Sequence, residues 1–138
     1  MINAESLLSE EVEFQIAASF LTALKGRNWR MMRAMLTDDA SWTLPGKSEL
    51  SGEARGADAV VERARQLRDY GVMVELTYIL YGMHGVALSL HNTGGRGDLK
   101  LDEHVVIVLD LEDTRIAKMT TYLHDVPGIN TFFVEGII

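Results

Sequence analysis

From residue 99 to residue 111 the chain alternates without a break. Leu99, Leu101, Glu103, Val105, Ile107, Leu109 and Leu111 share one parity, and Lys100, Asp102, His104, Val106, Val108 and Asp110 the other. Successive side chains of an extended strand point to opposite faces, so this stretch reads as one long, half-buried strand. Such a strand needs partners, and the flanking sequence supplies them. Val72, Val74, Leu76, Tyr78 and Leu80 alternate in the same way, as do Val86, Leu88 and Leu90. Residues 94–98 form a glycine-rich hairpin loop; Glu112, Asp113 and Thr114 turn the chain into a last strand over 116–123. The second half of the chain is therefore an antiparallel meander.

The first half has a different period. Over residues 9–25, Val12, Ile16, Ala17, Phe20, Leu21 and Leu24 recur at spacings of three and four, with Ser9 as the N-cap and Gly26 as the stop. Asn28 caps a short second helix carrying Trp29, Met32, Met35 and Leu36. Thr37, Asp38 and Asp39 break it, and a strand over 40–44 ends at Pro45 and Gly46. A polar connection runs to Gly56. Residues 57–70 form a third helix with Val60, Val61, Ala64 and Leu67 inward, ended by Gly71. Three helices followed by a meander predict a single α+β domain over 1–138, with the helices on one face of a strongly curved, mostly antiparallel sheet. Between helices and sheet lies the expected pocket for a small, mostly apolar ligand.

Composition narrows the function classes. Twenty acidic against 13 basic residues give a net charge of −7, the wrong sign for phosphate backbones or anionic membrane surfaces. No run reaches the roughly 18 apolar residues of a membrane span. There is no cysteine for disulfides or thiolate chemistry. Residues 1–11 lack the basic and apolar regions of an export signal, which predicts a cytoplasmic protein.

Three phrases carry a family resemblance. Phe20 to Trp29 followed by Met35 to Ala40 is the first. Trp42 to Gly46, with Leu50 to Gly52 and Arg55 to Val60, is the second. Leu101 to Val106, running on through Ile116 to Asp125, is the third. Their order and spacing resemble the nuclear transport factor 2-like superfamily and its SnoaL-like polyketide cyclase and ketosteroid isomerase branch. The resemblance implies a cone-shaped (cystatin-like) α+β barrel, an apolar pocket for a small hydrophobic or aromatic ligand, no cofactor, and a homodimer formed through the convex face of the sheet. Ile79, Tyr81, Val106 and Val108 are the residues expected on that face. Fold alone does not fix activity. In ketosteroid isomerases a carboxylate base precedes the strand-ending proline, and a tyrosine and a protonated aspartate stabilise the oxyanion. Here those positions fall on Leu44, near Phe20 and near Val105. The strand around Leu88 to Leu90 likewise lacks the arginine and aspartate of limonene-epoxide-hydrolase relatives.

The polar side chains carried inward by strand parity are then Glu103, Tyr78 and Thr121. They are expected among pocket walls made by Phe20, Trp42, Leu44, Val105, Ile107 and Met119. Glu103 is the candidate acid/base, raised in pKa by burial, with Tyr78 its hydrogen-bonding partner. A one-residue register shift would bring in Asp102 and His104 instead. His84, His91, His104 and His124 show no metal-ligand spacing, so no metal is expected. Arg96, Gly97 and Asp98 read as turn chemistry, and the apolar tail over 130–138 as a packed segment. Two functions follow. One is a cofactor-independent isomerase, cyclase or lyase using proton transfer. The other is a non-catalytic ligand-binding or dimerisation module, a sequestering protein included.

Overall fold

The computed structural model describes residues 9–134. Helix α1 (Glu10–Lys25) starts where Ser9 Oγ accepts a hydrogen bond from Val12 N at 3.2 Å, and Glu10, Glu11 and Glu13 lie against the positive end of its dipole. In α2 (Trp29–Ala34) the Asn28 side chain accepts from Met31 N. There follow β1 (Leu36–Leu44), β2 (Gly52–Arg55), α3 (Ala57–Asp69), β3 (Met73–Tyr81), β4 (Gly85–Arg96), β5 (Leu99–Glu112), β6 (Arg115–Leu123) and α4 (Val126–Phe132).

The strands form one six-stranded sheet in the order β2-β1-β6-β5-β4-β3. Every neighbouring pair is antiparallel except β1 beside β6. The sheet is curved and the helices pack on it, which is the expected α+β arrangement. Its concave face and the inner sides of α1, α2 and α3 share one core, in which Phe20, Met32, Trp42, Val60, Leu88, Leu109, Ile116 and Met119 are buried. A second cluster closes one end of that space. It joins Leu44, Leu50, Tyr70, Val72 and Leu101 to Ile129, Phe132 and Phe133 from the α4 region.

The hairpin loop read over 94–98 is only Gly97 and Asp98, since Gly94, Gly95 and Arg96 belong to β4, and three further elements differ from the sequence reading. First, β1 begins at Leu36 rather than at residue 40: Thr37, Asp38 and Asp39 continue the strand, and its register against β6 slips between Leu36 and Ser41. Second, the polar connection holds the short strand β2, paired with the end of β1 from Ser41 opposite Arg55 to Leu44 opposite Gly52. Third, residues 126–132 form a helix where no element was read. In α4, Asp125 Oδ1 accepts from Gly128 N at 3.1 Å, and Phe132 and Phe133 are buried against the chain's own sheet and loops. Residues 135–138, the rest of the apolar tail, and residues 1–8, where no export signal is read, lie outside the described residues.

A bulge decides which side chains enter the core. Along β3, Leu76 pairs with Leu90, but the next pair is Tyr78 with Ser89. Thr77 is the extra residue, and its Oγ1 donates to Ser89 O at 2.8 Å. One inserted residue reverses the parity of everything beyond it. Ile79 and Tyr81 therefore stand opposite the buried Leu88 and Val86, whereas Tyr78 and Leu80 turn to the outside.

Candidate functional site

The inner face of the sheet holds a cavity of about 30 Å³ between β1, β4, β5, β6, α3 and α4. Its walls are mostly apolar. Trp42, Leu44, Val105 and Ile107 come from the sheet, Leu67 from α3, and Ile129 and Phe133 from the α4 end. Three polar side chains join them: Thr121, Asn92 and Arg63. Thr121 Oγ1 accepts a 2.7 Å hydrogen bond from the Trp42 indole Nε1, which fixes the ring. Phe20 meets that ring edge-on, with centroids 6.4 Å apart and planes at 75°.

Trp42, Leu44, Val105, Ile107 and Thr121 thus line the cavity where strand parity puts them. Phe20 and Met119 are completely buried but stand behind the wall, in the main core. Tyr78 is a correction. It is 71% exposed on the outer face, because the Thr77 bulge reverses its parity, so it cannot partner Glu103. The same bulge corrects the expected dimer face, since Ile79 packs against the core and Tyr81 takes the inner parity.

Glu103 does point inward and has no solvent exposure. Its Oε1 accepts from the backbone N of Asp125 at 2.8 Å, at the entrance to α4, and lies 3.9 Å from His124 Nδ1. Its Oε2 is buried with no hydrogen-bond partner among the described residues. Burial raises its pKa above the usual carboxylate value, opposed by the hydrogen bond from Asp125 N and the nearby imidazoles. The carboxylate does not border the cavity. Asn92, its direct partner across β4 and β5, does, and Asn92 Oδ1 is also buried without a partner.

The shifted register that would bring in Asp102 and His104 does not occur, because β4 and β5 pair without slippage from Gly85 opposite Asp110 to Arg96 opposite Leu99. Both residues are exposed on the outer face. There His91 Nε2 lies 2.6 Å from Asp102 Oδ1, and this hydrogen bond, first among the causes, holds Asp102 below its usual pKa. The His104 ring stacks on His91 at 4.8 Å, and His124 Nδ1 accepts from His104 N at 2.9 Å. Among the described residues, no group of three or more histidines and acids is arranged to hold a metal ion. No helix among them is long and apolar enough to cross a membrane.

Two buried charges escape the sequence reading. Arg63 is 7% exposed and Glu13 1% exposed. Burial lowers the pKa of the Arg63 guanidinium and raises that of Glu13. A signal for both was present. Arg63 is three residues after Val60 and four before Leu67, and Glu13 is three before Ile16 and four before Ala17, so each sits within its helix's apolar stripe. Asn92 likewise continues the inward parity of Val86, Leu88 and Leu90.

A curved sheet wrapped around three helices, with an apolar cavity at its wider interior, is a fold shared with solved structures. No protein-family model and no curated protein matches the chain. Bal32a, from a soil-derived mobile gene cassette, superposes with a TM-score of 0.83 at 21% identity over 89% of this chain and 97% of its own. An NTF2-like protein from Burkholderia xenovorans gives 0.77 at 18% identity, over 89% and 98%. An LEH-like epoxide hydrolase from M. tuberculosis gives 0.68 at 20% identity, over 89% and 90%. The chain therefore shares the fold of these solved structures, an NTF2-like protein among them.

Proposed function

We propose that the protein binds a small, mainly apolar molecule in the cavity beneath α4. The observation that carries this reading is the lining itself: apolar walls, a fixed indole and a few convergent polar groups, the usual make-up of a small-molecule site. At about 30 Å³ the cavity holds on the order of one or two waters. Drug-sized ligands need roughly ten times that space. Ile129 and Phe133 must therefore move aside on binding, and the α4 end is the part of the wall with least sheet structure behind it. The test is a panel of neutral aromatics such as 2-naphthol, followed through the Trp42 indole N–H resonance. A shift at Trp42 without one at Trp29 supports the reading. If no member of the panel moves Trp42 at millimolar concentration, the cavity is only a packing gap.

A second reading is proton transfer by Glu103, as in an isomerase or cyclase. It is favoured by the free, buried Oε2 and the raised pKa, beside the cavity-lining Asn92. Binding ranks first because Glu103 stands outside the cavity and one of its oxygens is committed to Asp125 N. A fold neighbour described as an epoxide hydrolase supports small-molecule chemistry on this scaffold in general. Glu103→Gln separates the two, since turnover of a substrate would vanish while binding persists.

The outer face of the sheet favours self-association. Tyr78, Leu80 and Tyr122 are 71%, 51% and 61% exposed, with Val106 and Val108 between them. We read this as a homodimer face, built from Tyr78 and Leu80 in place of Ile79 and Tyr81.

A further inference from the structure

Arg63 raises a question that ligand binding in the abstract does not answer. Its guanidinium lies inside the α3 face, 5.8 Å over the Trp42 ring, and NH1 donates to Trp42 O. Among the described residues that is the one hydrogen bond of its side chain, and no carboxylate of theirs comes within 4.0 Å. By contrast, Arg27, Arg33, Arg55 and Arg65 each hold at least one acid at the head. A guanidinium has five N–H donors and stays protonated under ordinary conditions. Burying one without a counter-charge is expensive, and native proteins normally pair such a group or hydrogen-bond it fully. Glu103, the buried carboxylate of the inner sheet face, is instead occupied by Asp125 N.

We propose that Arg63 is the anchor for an anionic head group, so that the ligand is an apolar molecule bearing a carboxylate. This rests on the cavity reading above and specifies the ligand for that same site. The chemistry fits each wall. The planar fork of arginine matches the two oxygens of a carboxylate, and the charge-assisted pair gains strength where water is excluded. Leu44, Val105, Ile107 and Phe133 offer only apolar surface to the remainder of the molecule. The Trp42 ring lies under the guanidinium and would stack on an aromatic body. Asn92 Oδ1, a buried acceptor with no donor among the described residues, lines the cavity from β4 and disfavours a second anionic group there. A monocarboxylate therefore suits the cavity better than a dicarboxylate.

The decisive experiment titrates the full chain with 2-naphthoate and with 2-naphthamide, which share size and aromatic body but differ in charge. Calorimetry gives the affinities, and the Trp42 indole resonance places the ligand. The expected preference for the acid is on the order of tenfold or more. Arg63→Met should remove that preference, read as the ratio of acid to amide affinity measured in the same variant. Arg63→Lys keeps the charge without the fork, should retain part of the preference, and serves if the methionine variant does not fold. Equal binding of acid and amide, or an acid preference that survives Arg63→Met or is unchanged in Arg63→Lys, overturns the proposal and leaves the cavity reading intact. If neither compound moves the Trp42 resonance while 2-naphthol does, the anionic anchor is wrong. If none of the three does, both readings fall.

Discussion

Glu103 shows what a single buried side chain does to the whole molecule's response to pH. Its pKa is raised in the folded state, so folding favours the neutral acid. The stabilisation is complete below the ordinary carboxylate range and is lost as pH rises through the elevated folded value. Urea unfolding of the wild type should thus show stability declining from about pH 5 upward, relative to Glu103→Gln measured in parallel. The glutamine keeps an acceptor for Asp125 N and removes the buried charge, so at pH 7 the variant should be as stable as the wild type or gain about 1 kcal/mol. Parallel pH profiles would show that Glu103 is not the responsible group. Glu13, raised for the same reason, would be tested next. At Trp42 the sign is opposite: Thr121→Val strands the indole N–H in the core and should cost about 1–3 kcal/mol, read from the urea midpoint. Tyr78 marks the limit of residue-level inference from sequence. Its alternation with Leu76 and Leu80 is real, but the Thr77 bulge, closed by a side-chain bond to a different strand, has no local signature.

At the level of elements, what could be read in advance follows the strength of the local pattern. α1, α3 and β5 stand out because each repeats one period over 13 or more residues. β2 escapes because four residues, Gly52, Glu53, Ala54 and Arg55, are too few and too exposed to alternate. α4 escapes for another reason: Val126, Pro127, Gly128 and Asn130 are poor helix formers, so its helicity comes from docking, not propensity. That docking is specific. Asn130 Oδ1 accepts from Lys47 N at 2.7 Å, Tyr70 OH donates to Val134 O at 3.0 Å, and Phe133 packs edge-on against Tyr70 at 5.0 Å. Phe132 occupies a notch at Gly94, where a Cβ would come within 2.9 Å of Cζ and 3.4 Å of Gly71 O. Gly94→Ala should loosen α4 at a cost of about 1–3 kcal/mol. Faster amide hydrogen exchange at Ile129 and Phe133, with the β5 amides unchanged, is the expected signature. Uniform acceleration through the sheet would mean that α4 does not open separately.

For the molecule as a whole, the outer sheet face is the proposed homodimer surface. Tyr122 lies opposite Val106 on neighbouring strands, on the same side as Tyr78. Tyr122→Glu should convert a dimer to a monomer in analytical ultracentrifugation, with little change in the folded spectrum, since the residue is 61% exposed. Sedimentation as a monomer before any substitution would remove the homodimer. The candidate site was only partly legible for a related reason. The walls at Trp42, Leu44, Val105, Ile107 and Thr121 follow from parity alone; Arg63 and Asn92 continue the inward patterns of α3 and β4, but that they meet at one cavity shows only once those elements are laid together.

The position of α4 also changes what an affinity measured for this protein would mean. If a ligand enters the cavity as proposed, Ile129 and Phe133, which line it, must give way, so the chain would carry its own tethered competitor. If the helix were displaced in only one molecule in a hundred, the apparent dissociation constant would be about a hundredfold weaker than that of the open cavity. Modest binding would then report the strength of the competitor, not poor complementarity. A change that weakens α4, such as Gly94→Ala, would tighten binding without touching a single ligand contact.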